Sequence, residues 1–376
     1  MRPAARRKIP AITAAAAVTA AVVAALLLSG AFRARQSRPA KPPADASRLV
    51  EHPAQRSFVW PTPLPVNATT SELQIAQAAA SGDPATGLFG TARNNGWKFH
   101  EGLDIKPAAR DRRGEPVDRV VAAIGGKIVH VVPRPNGPYG RHLVLRHVEA
   151  GLTYYTLYAH LRSVTPALTV GTRVAAGAEL GVMGRSDDGR GFPKERAHLH
   201  FEVGLRLNPA FPSWYARNPN YNKQRNRQGE WNGLNLYGFD PLPFLREGLR
   251  TNEVPSALER VRAEPIAVTV DYAGGGIPTF VRENPALLTA PLPADGRAPA
   301  GWRIGLAWHG LPVRWTPLSA AELGPVAGRG AVRVEISPNA ELQRLARARR
   351  LVSRNKRGAL VTDEVLARTL DILFTN

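Results

Sequence analysis

The chain has 376 residues, no cysteine and a formal net charge of +20, from 50 Lys plus Arg against 30 Asp plus Glu. The length predicts two folded domains rather than one, and the lack of cysteine excludes disulfide scaffolds, thiolate zinc sites and cysteine nucleophiles, so that a bound metal must be held by His and carboxylates. The strong positive charge predicts anionic partners, among which are nucleic acid, acidic lipid headgroups and cell-wall polymers.

The first 36 residues have the pattern of an export signal. Four basic residues within the first eight positions precede an uncharged run from Ile9 to Phe32, which is typical of a signal peptide or a signal anchor. As a helix this run is long enough to span a bilayer, whereas the small residues Ser29-Gly30-Ala31 fit a cleavage site. We therefore expect a periplasmic or cell-envelope protein, tethered to the inner membrane by residues 9–32 if the signal is retained. Export argues against nucleic acid as a partner.

The segment after the signal changes from linker to β domain. Residues 37–57 are Pro-rich without apolar periodicity, as in an extended linker, and a short helix is predicted over 72–79. From Val117 to Val203 the sequence has short runs rich in Val, Leu, Ile and Tyr, separated by Gly or Pro, which predict strands. The predicted strands are 119–132, 143–148, 153–161 and 199–203.

The C-terminal region predicts a small α+β domain. Its predicted elements are strands over 266–270 and 331–336, a hairpin over 302–315, and helices over 341–352 and 363–374. A dense basic run extends from Arg344 to Arg357. This run can dock on an anionic wall polymer or membrane, or it can simply be a solvated helix face.

The histidines carry the chemical information. In His100-Glu101-Gly102-Leu103-Asp104, Gly102 allows a tight turn, so that the imidazole and the carboxylate can point at one zinc ion. A turn with a capping Asp accounts for the same pattern.

His198 and His200 lie in an alternating segment that predicts a strand, and residues two apart in a strand share a face. A metal, a proton-transfer role or plain surface exposure each explains this pair. His160 ends another predicted strand and, taken alone, is interpreted as structural.

In chain order, His-x-x-x-Asp, Tyr-x-His and His-x-His within a β domain resemble the lysostaphin-type, or LytM-like, zinc metallopeptidases that cut peptidoglycan peptides. The resemblance extends to Gly-spaced segments such as Tyr139–His147 and Val170–Gly184. It implies a mainly β fold with an antiparallel β-sheet catalytic domain over residues 58–250, interrupted by an insertion at 204–239. The small α+β domain at 251–376 follows and has no assigned role.

The resemblance also implies a site. One Zn²⁺ would be bound by His100, Asp104 and His200, with a fourth position left for water or substrate. His160 and His198 match the family's catalytic histidines, whose imidazoles can accept and return a proton.

The function predicted on this basis is an exported zinc-dependent endopeptidase that hydrolyses peptide bonds in peptidoglycan cross-links. Its expected partners are peptidoglycan peptides and an anionic cell-wall or membrane surface. The alternative is a catalytically inactive LytM-like scaffold that binds the wall or activates an amidase. Such a scaffold is expected to lack one or more of the five site residues, and all five are present here.

Two segments depart from the family pattern. Thirteen residues separate Gly184 from His198, and 36 separate Val203 from Asp240. The first loop is expected to line the cleft, and aromatic residues in the second suit either sugar or peptide binding or an Ω-like loop packed by its own side chains.

The remaining polar residues near these motifs are interpreted as structural. Glu202 shares the face of the two strand histidines and is read as a flanking polar residue rather than a base. Tyr158 is expected to be a buried aromatic residue or a hydrogen-bonding group near the cleft. Five histidines are predicted to be non-catalytic, namely His52, His130, His142, His147 and His309.

Overall fold

The computed structural model describes residues 57–375, except residues 91, 94–97, 294–295, 325 and 327. The predicted signal and almost all of the predicted linker lie outside the described residues, as does His52. Within the described part of the chain, no helix is both long and apolar enough to cross a membrane. The described residues belong to one compact unit.

The part of the chain before residue 240 is built mainly from short antiparallel strands. These strands are β1 (Ala92–Arg93), β2 (Lys98–Phe99), β3 (Leu103–Ile105), β4 (Arg119–Val121), β5 (Gly126–Val132), β6 (Arg141–Glu149), β7 (Leu152–Leu161), β8 (Ser163–Val164), β9 (Arg173–Val174), β10 (Glu179–Val182), β11 (Leu199–Arg206) and β12 (Leu236–Gly238). The helical segments are α1 (Glu72–Ile75), α2 (Phe211–Arg217) and 3-10 turns at Pro84–Gly87, Lys194–Arg196, Gly229–Trp231 and Gly233–Asn235.

The largest sheet has the strand order β12-β11-β7-β6-β5-β9, with β3 paired to β11, and a smaller sheet has the order β4-β10-β8. All recorded pairs in these two sheets are antiparallel, which confirms the predicted mainly β, antiparallel fold class. The strand predicted over 119–132 is two strands, β4 and β5, because the chain passes from the smaller sheet to the larger one between them.

The remaining elements are helices and a second group of strands. The helices are α3 (Pro241–Thr251), α4 (Ala257–Ala263), α5 (Thr279–Glu283), α6 (Ala320–Leu323), α7 (Ala340–Ala348) and α8 (Glu364–Leu373), with a 3-10 turn at Pro285–Leu287. The strands are β13 (Ile266–Ala273), β14 (Gly301–Ala307), β15 (Pro312–Leu318), β16 (Val332–Ile336), β17 (Val352–Arg354) and β18 (Leu360–Thr362). Strands β13 to β16 form one sheet in the order β15-β14-β13-β16, and β17 pairs with β18.

One hydrophobic core continues across residue 250. It contains Leu205 of β11 and Phe211 of α2 together with Leu366 and Ile372 of α8. The domain boundary near residue 250 stays a prediction, and the shared core means that removal of the C-terminal region would expose apolar surface.

Polar contacts cross the same boundary. The indole Nε1 of Trp214 donates to a carboxylate oxygen of Asp371 at 2.6 Å, and the hydroxyl groups of Tyr237 and Thr369 lie 2.6 Å apart. The C-terminal helix α8 is therefore attached to the insertion at 204–239 by hydrogen bonds as well as by apolar packing.

The aromatic residues of this insertion belong to the core. Trp214, Tyr215, Trp231 and Tyr237 are buried. An open platform for a sugar or peptide needs accessible rings, so these four residues serve packing. The structure therefore argues against the binding platform, and the insertion packs into the core rather than only on its own side chains.

Candidate active site

Strand register brings Asp104 and His200 together. In the antiparallel pair β3–β11, Asp104 lies directly opposite His200, and directly opposite side chains project to the same side of a sheet. Gly102 lets the preceding segment approach β11, because a Cβ atom there would lie 2.4 Å from the carbonyl oxygen of Phe201. No side chain fits at position 102, so glycine is required there for reasons of space as well as for the turn expected from sequence.

His100 completes a tight three-residue group. Its Nε2 atom lies 3.0 Å from Oδ1 of Asp104 and 3.2 Å from Nδ1 of His200, and the last two atoms are 2.9 Å apart. All three residues are buried, and one ligand atom from each lies within 4.8 Å of the others. Two imidazole nitrogens and one carboxylate oxygen are a donor set that suits a catalytic zinc ion.

The protein orients both imidazole rings from behind. Nδ1 of His100 donates to the carbonyl oxygen of Leu88 at 2.8 Å, which leaves Nε2 as the ligand atom. Nε2 of His200 donates to Glu202 at 2.9 Å, which leaves Nδ1. A carbonyl or carboxylate behind a metal-binding histidine is the usual means of fixing its tautomer.

Glu202 is the site residue whose role the sequence interpretation missed. It is fully buried, and its two oxygens accept hydrogen bonds from the hydroxyl groups of Tyr139 at 2.6 Å and Tyr155 at 2.8 Å. The flanking polar role is therefore wrong, since a buried carboxylate requires partners. The signal was present in the sequence, because residues 198, 200 and 202 alternate on one strand face.

The electrostatics of the group favour positive charge. Burial alone would lower the pKa of His200, but hydrogen bonds and charges from Asp104 and Glu202 outweigh burial and raise the pKa to about 9. Burial likewise opposes ionisation of Asp104, yet the neighbouring His198 and His100 hold its pKa well below the usual range. The negative charges of Asp104 and Glu202 that favour this proton also attract a metal cation, which would displace the proton from the ligand nitrogen, so these residues fit a bound metal.

An arginine side chain also contacts the three candidate ligands, through Asp104. Arg93 of β1 forms a hydrogen-bonded ion pair with Oδ2 of Asp104, the carboxylate oxygen that does not face the histidines. Burial lowers the pKa of His100, and the positive charges of His200 and Arg93 add to this effect although Asp104 opposes it. Arg93 therefore restrains the Asp104 carboxylate and favours the neutral form of His100, which is the form that binds metals.

His160 and His198 lie beside the three candidate ligands. Their ring centroids are 4.8 Å apart, and the ring of His160 is 5.7 Å from that of His200. Nδ1 of His160 donates to the carbonyl oxygen of Ser186 at 2.8 Å, and Nδ1 of His198 donates to that of Arg196 at 2.6 Å. Because a carbonyl only accepts, the neutral form of each ring has a proton on Nδ1 and an unprotonated Nε2.

The backbone at His160 is strained. Its φ angle is 60°, in the left-handed region that non-glycine residues rarely adopt and that costs about 1–3 kcal/mol. The conformation is held by a hydrogen bond from the His160 amide to the carbonyl oxygen of Tyr139 at 3.0 Å. Such strain is concentrated at functional sites, where the surrounding structure imposes it.

The loop between Gly184 and His198 lines this cleft, as expected. The ring of Phe192 stacks on His198 with centroids 5.0 Å apart and meets His160 edge-on at 4.9 Å. Ser186 supplies the carbonyl that orients His160. The loop thus shapes the surroundings of both histidines.

Two of the other histidines, His142 and His147, make structural contacts. His147 bonds to the Gly125 carbonyl at 2.9 Å and to the Thr156 hydroxyl at 3.0 Å, and His142 donates to the Gly140 carbonyl at 3.0 Å. Tyr158 is buried, and its hydroxyl accepts a hydrogen bond from the Ala123 amide at 2.9 Å. It is therefore a buried aromatic residue rather than a group of the cleft.

Comparison with known proteins matches part of the chain to a peptidase family. Residues 98–212 match the sequence profile of peptidase family M23, and no curated protein matches the chain. Among similar solved structures, the catalytic domain of lysostaphin from Staphylococcus simulans is 22% identical, with 43% of this chain and 87% of that chain covered and a TM-score of 0.26.

Two further solved structures are similar. A glycyl-glycine endopeptidase LytM of Ruminococcus gnavus, itself described as putative, is 26% identical over 40% of this chain and 54% of that chain, with a TM-score of 0.27. A zinc-containing peptidase from Vibrio cholerae is 22% identical over 40% of this chain and 37% of that chain, with a TM-score of 0.25. The matched segment 98–212 contains all five site residues, and its sequence matches peptidase family M23.

Proposed function

We propose that the chain is an exported zinc-dependent endopeptidase that hydrolyses peptide bonds in peptidoglycan cross-links. The observation that carries the proposal is the convergence of His100, Asp104 and His200 on one point with the ring of His160 5.7 Å from that of His200. A profile match to a peptidase family over the same residues supports it.

The roles of the residues follow from their hydrogen bonds. His100, through Nε2, Asp104, through a carboxylate oxygen, and His200, through Nδ1, would hold the ion. Zinc in such a site supplies a Lewis acid for a carbonyl group and lowers the pKa of a water molecule toward about 7.

His160 and His198 assist the reaction in this proposal. With Nδ1–H bonded to a carbonyl oxygen, each ring has an Nε2 suited to proton transfer. One of the two rings accepts the proton of the attacking water and, as an imidazolium, returns it to the leaving amine, and the other, when protonated, stabilises the charge that develops on the carbonyl oxygen. The backbone carbonyls of Ser186 and Arg196 keep both rings in the tautomer that this requires. Phe192 packs against both rings and excludes water from one side of them.

The alternative is an inactive scaffold that binds the wall or activates an amidase. An inactive scaffold gains nothing from a strained His160, two carbonyl-oriented histidines or a buried Glu202 behind His200. These features are those of a working hydrolytic site, so we favour the enzyme.

The proposed partners and location follow from charge and from the N-terminal sequence. Export would bring to an anionic wall or membrane surface a chain with net charge +20, or +16 if residues 1–31 with their four basic residues are removed. Residues 9–32 would be removed with the signal or would tether the enzyme to the inner membrane.

The experiment that tests the proposal combines metal analysis with digestion of purified peptidoglycan. We expect about one zinc per chain and release of peptide fragments, identified by mass, that arise from cleavage within cross-links. The scaffold would be established instead if the zinc-loaded protein leaves peptidoglycan intact on its own and an added amidase becomes active only when this protein is present.

A further inference from the structure

A basic groove borders the two histidines on the side of the loop that follows Gly184. Its volume is about 610 Å³. It is lined by six basic side chains, namely Arg113, Arg141, Arg162, Arg185, Arg190 and Lys194. We call this feature the arginine groove.

The two acidic residues of the arginine groove are already paired. Glu115 forms an ion pair with Arg185 at 3.0 Å, which lowers the pKa of its carboxyl group, and Asp111 lies 3.8 Å from Arg162. Two of the six positive charges are thereby balanced. Four remain, those of Arg113, Arg141, Arg190 and Lys194.

Neighbouring acids of the same loop, Asp187, Asp188 and Glu195, offset this charge only in part. Asp187 accepts hydrogen bonds from the amides of Gly189 and Gly191 at 2.7 and 2.9 Å, and Asp188 pairs with Arg227 at 2.5 Å. Both carboxylates are engaged in shaping and anchoring the loop. The groove keeps an excess of positive charge that invites an anionic ligand.

The floor of the arginine groove is bonded to both proposed catalytic residues. Ser186 and Gly184 line the groove. The carbonyl of Ser186 accepts from His160 at 2.8 Å, and the carbonyl of Gly184 accepts from the His198 amide at 3.2 Å. An extended peptide advances about 3.3 Å per residue, so groups that lie in the groove belong to residues next to the bond being cut.

We propose that the arginine groove recognises free carboxylates of the substrate peptide close to the scissile bond. The proposal rests on the proposed function and names its substrate class, a cross-link peptide that carries carboxylates there. Guanidinium groups bind carboxylates through paired hydrogen bonds as well as through charge. A phosphate-bearing polymer would satisfy the same charges, but continuity with His160 and His198 favours the substrate itself.

The test uses two cross-link peptides of identical sequence, one with free carboxylates beside the scissile bond and one with these groups amidated. The zinc-loaded full chain is compared with Arg113→Gln, Arg190→Gln and the double variant. Arg357→Gln removes one charge from an exposed position outside the groove and is the matched control. Binding of both peptides is measured separately on the zinc-free chain.

We expect the wild type to cleave the carboxylate peptide with the higher kcat/KM, and the preference to fall as salt is raised. Each single variant should reduce that preference about threefold, as for an exposed ion pair, mainly through KM, and the double variant should reduce it further. Activity on the amidated peptide should fall less than activity on the carboxylate peptide, and Arg357→Gln should behave as the wild type.

Equal kcat/KM for the two peptides in the wild type, or a preference that survives in the double variant, would overturn the proposal. Binding of a polyphosphate chain that depends on Arg113 and Arg190, with equal treatment of both peptides, would assign the groove to a phosphate polymer instead. If neither peptide is cleaved, the proposed function fails. In that case the binding comparison tests the groove by itself. Tighter binding of the carboxylate peptide that is lost in the double variant would support carboxylate recognition, and equal binding of the two peptides would refute it.

Discussion

Nε2 of His200 donates a hydrogen bond to Oε1 of Glu202 at 2.9 Å, and both residues lie on one face of strand β11. Glu202 is in turn held by two tyrosine hydroxyl groups. Burial, reinforced by the charge of Glu202, raises the pKa of Tyr139 and Tyr155 well above their usual range. Both therefore stay protonated donors. The chain thus places a buried, negatively charged support directly behind a candidate zinc ligand.

Replacement of this support should weaken metal binding. We expect Glu202→Gln to lower the affinity for zinc about 10- to 100-fold, because the amide keeps the shape but loses the charge that fixes the His200 tautomer. Competition with a chelator measures the change. Glu195→Gln, an exposed residue of the adjacent loop, is the control and should bind zinc as the wild type does. An unaltered affinity in a folded Glu202→Gln protein would contradict this support role.

Loss of any one candidate ligand should remove the metal. His100→Ala, Asp104→Ala and His200→Ala should each lose zinc from a wild-type stoichiometry of about one per chain, because three protein ligands are the number found in a catalytic zinc site. Metal analysis of the purified variants checks this. Native-like zinc occupancy in His200→Ala would show that the ligand assignment is wrong.

Substitution of His160 or His198 should have a different effect from substitution of a zinc ligand in the same assay. Alanine at either position should leave zinc in place and reduce the rate of peptidoglycan hydrolysis about 10²- to 10⁴-fold, the usual loss when a positioned proton-transfer group is deleted. Parallel zinc analysis and turnover measurements on each variant provide the comparison. Near-full activity in both variants would refute the proton-transfer roles.

The buried His147 should make stability depend on pH. Burial lowers its pKa from 6.5 to about 4, although the hydrogen bond to Gly125 opposes the shift. Between these values the unfolded chain binds a proton that the folded chain does not. The stabilisation is therefore complete above about pH 6.5 and declines as the pH falls toward 4.

This dependence is tested by urea unfolding at pH 7, 6 and 5 with a chelator present. In His147→Gln the free energy of unfolding should fall less steeply on acidification, by up to about 1.4 kcal/mol per pH unit. Both proteins share every other titrating group, so the difference isolates His147. Parallel curves for the two proteins would mean that His147 does not titrate as argued.

The C-terminal basic run is only partly free to meet an anionic surface. Arg349 lies over the ring of Phe99 at 4.2 Å and donates to the carbonyl of His309, whereas Arg344 pairs with Glu341 at 2.6 Å and Arg350 pairs with Glu364. Arg347 is exposed and donates to the side-chain amide oxygen of Gln343, and exposed charges also remain at Arg354, Lys356 and Arg357. The last three lie together in the β17–β18 hairpin, where they can meet a wall polymer as a group.

We expect replacement of these three residues by Gln to weaken sedimentation with insoluble peptidoglycan and to flatten its salt response, since the Debye length falls from about 30 Å at 0.01 M to about 8 Å at 0.15 M. The control replaces three exposed basic residues elsewhere, Arg217, Lys223 and Arg225. Equal effects in both triple variants would show that the attraction to the wall comes from the whole basic surface and not from these three residues. Truncation after residue 250 is unsuitable because the core continues across it.

Local patterns located several strands and helices to within a few residues. The alternation of residues 197–203 predicted a strand, and the structure has β11 from Leu199 to Arg206. The helices predicted over 341–352 and 363–374 are α7 and α8, with bounds that differ by a few residues at some ends. Helix ends depend on caps such as Asn339 and Asp363, which a periodic pattern does not locate.

The sequence by itself determined which residue types were available, their spacing and the faces they occupy, because side-chain direction follows from strand geometry alone. Only the tertiary structure decided that Asp104 stands opposite His200, that Glu202 is buried behind it, and that the loop after Gly184 joins a basic groove to both histidines. Register between strands distant in sequence, and the burial of a polar side chain, arise from contacts across the whole core. No local pattern encodes them.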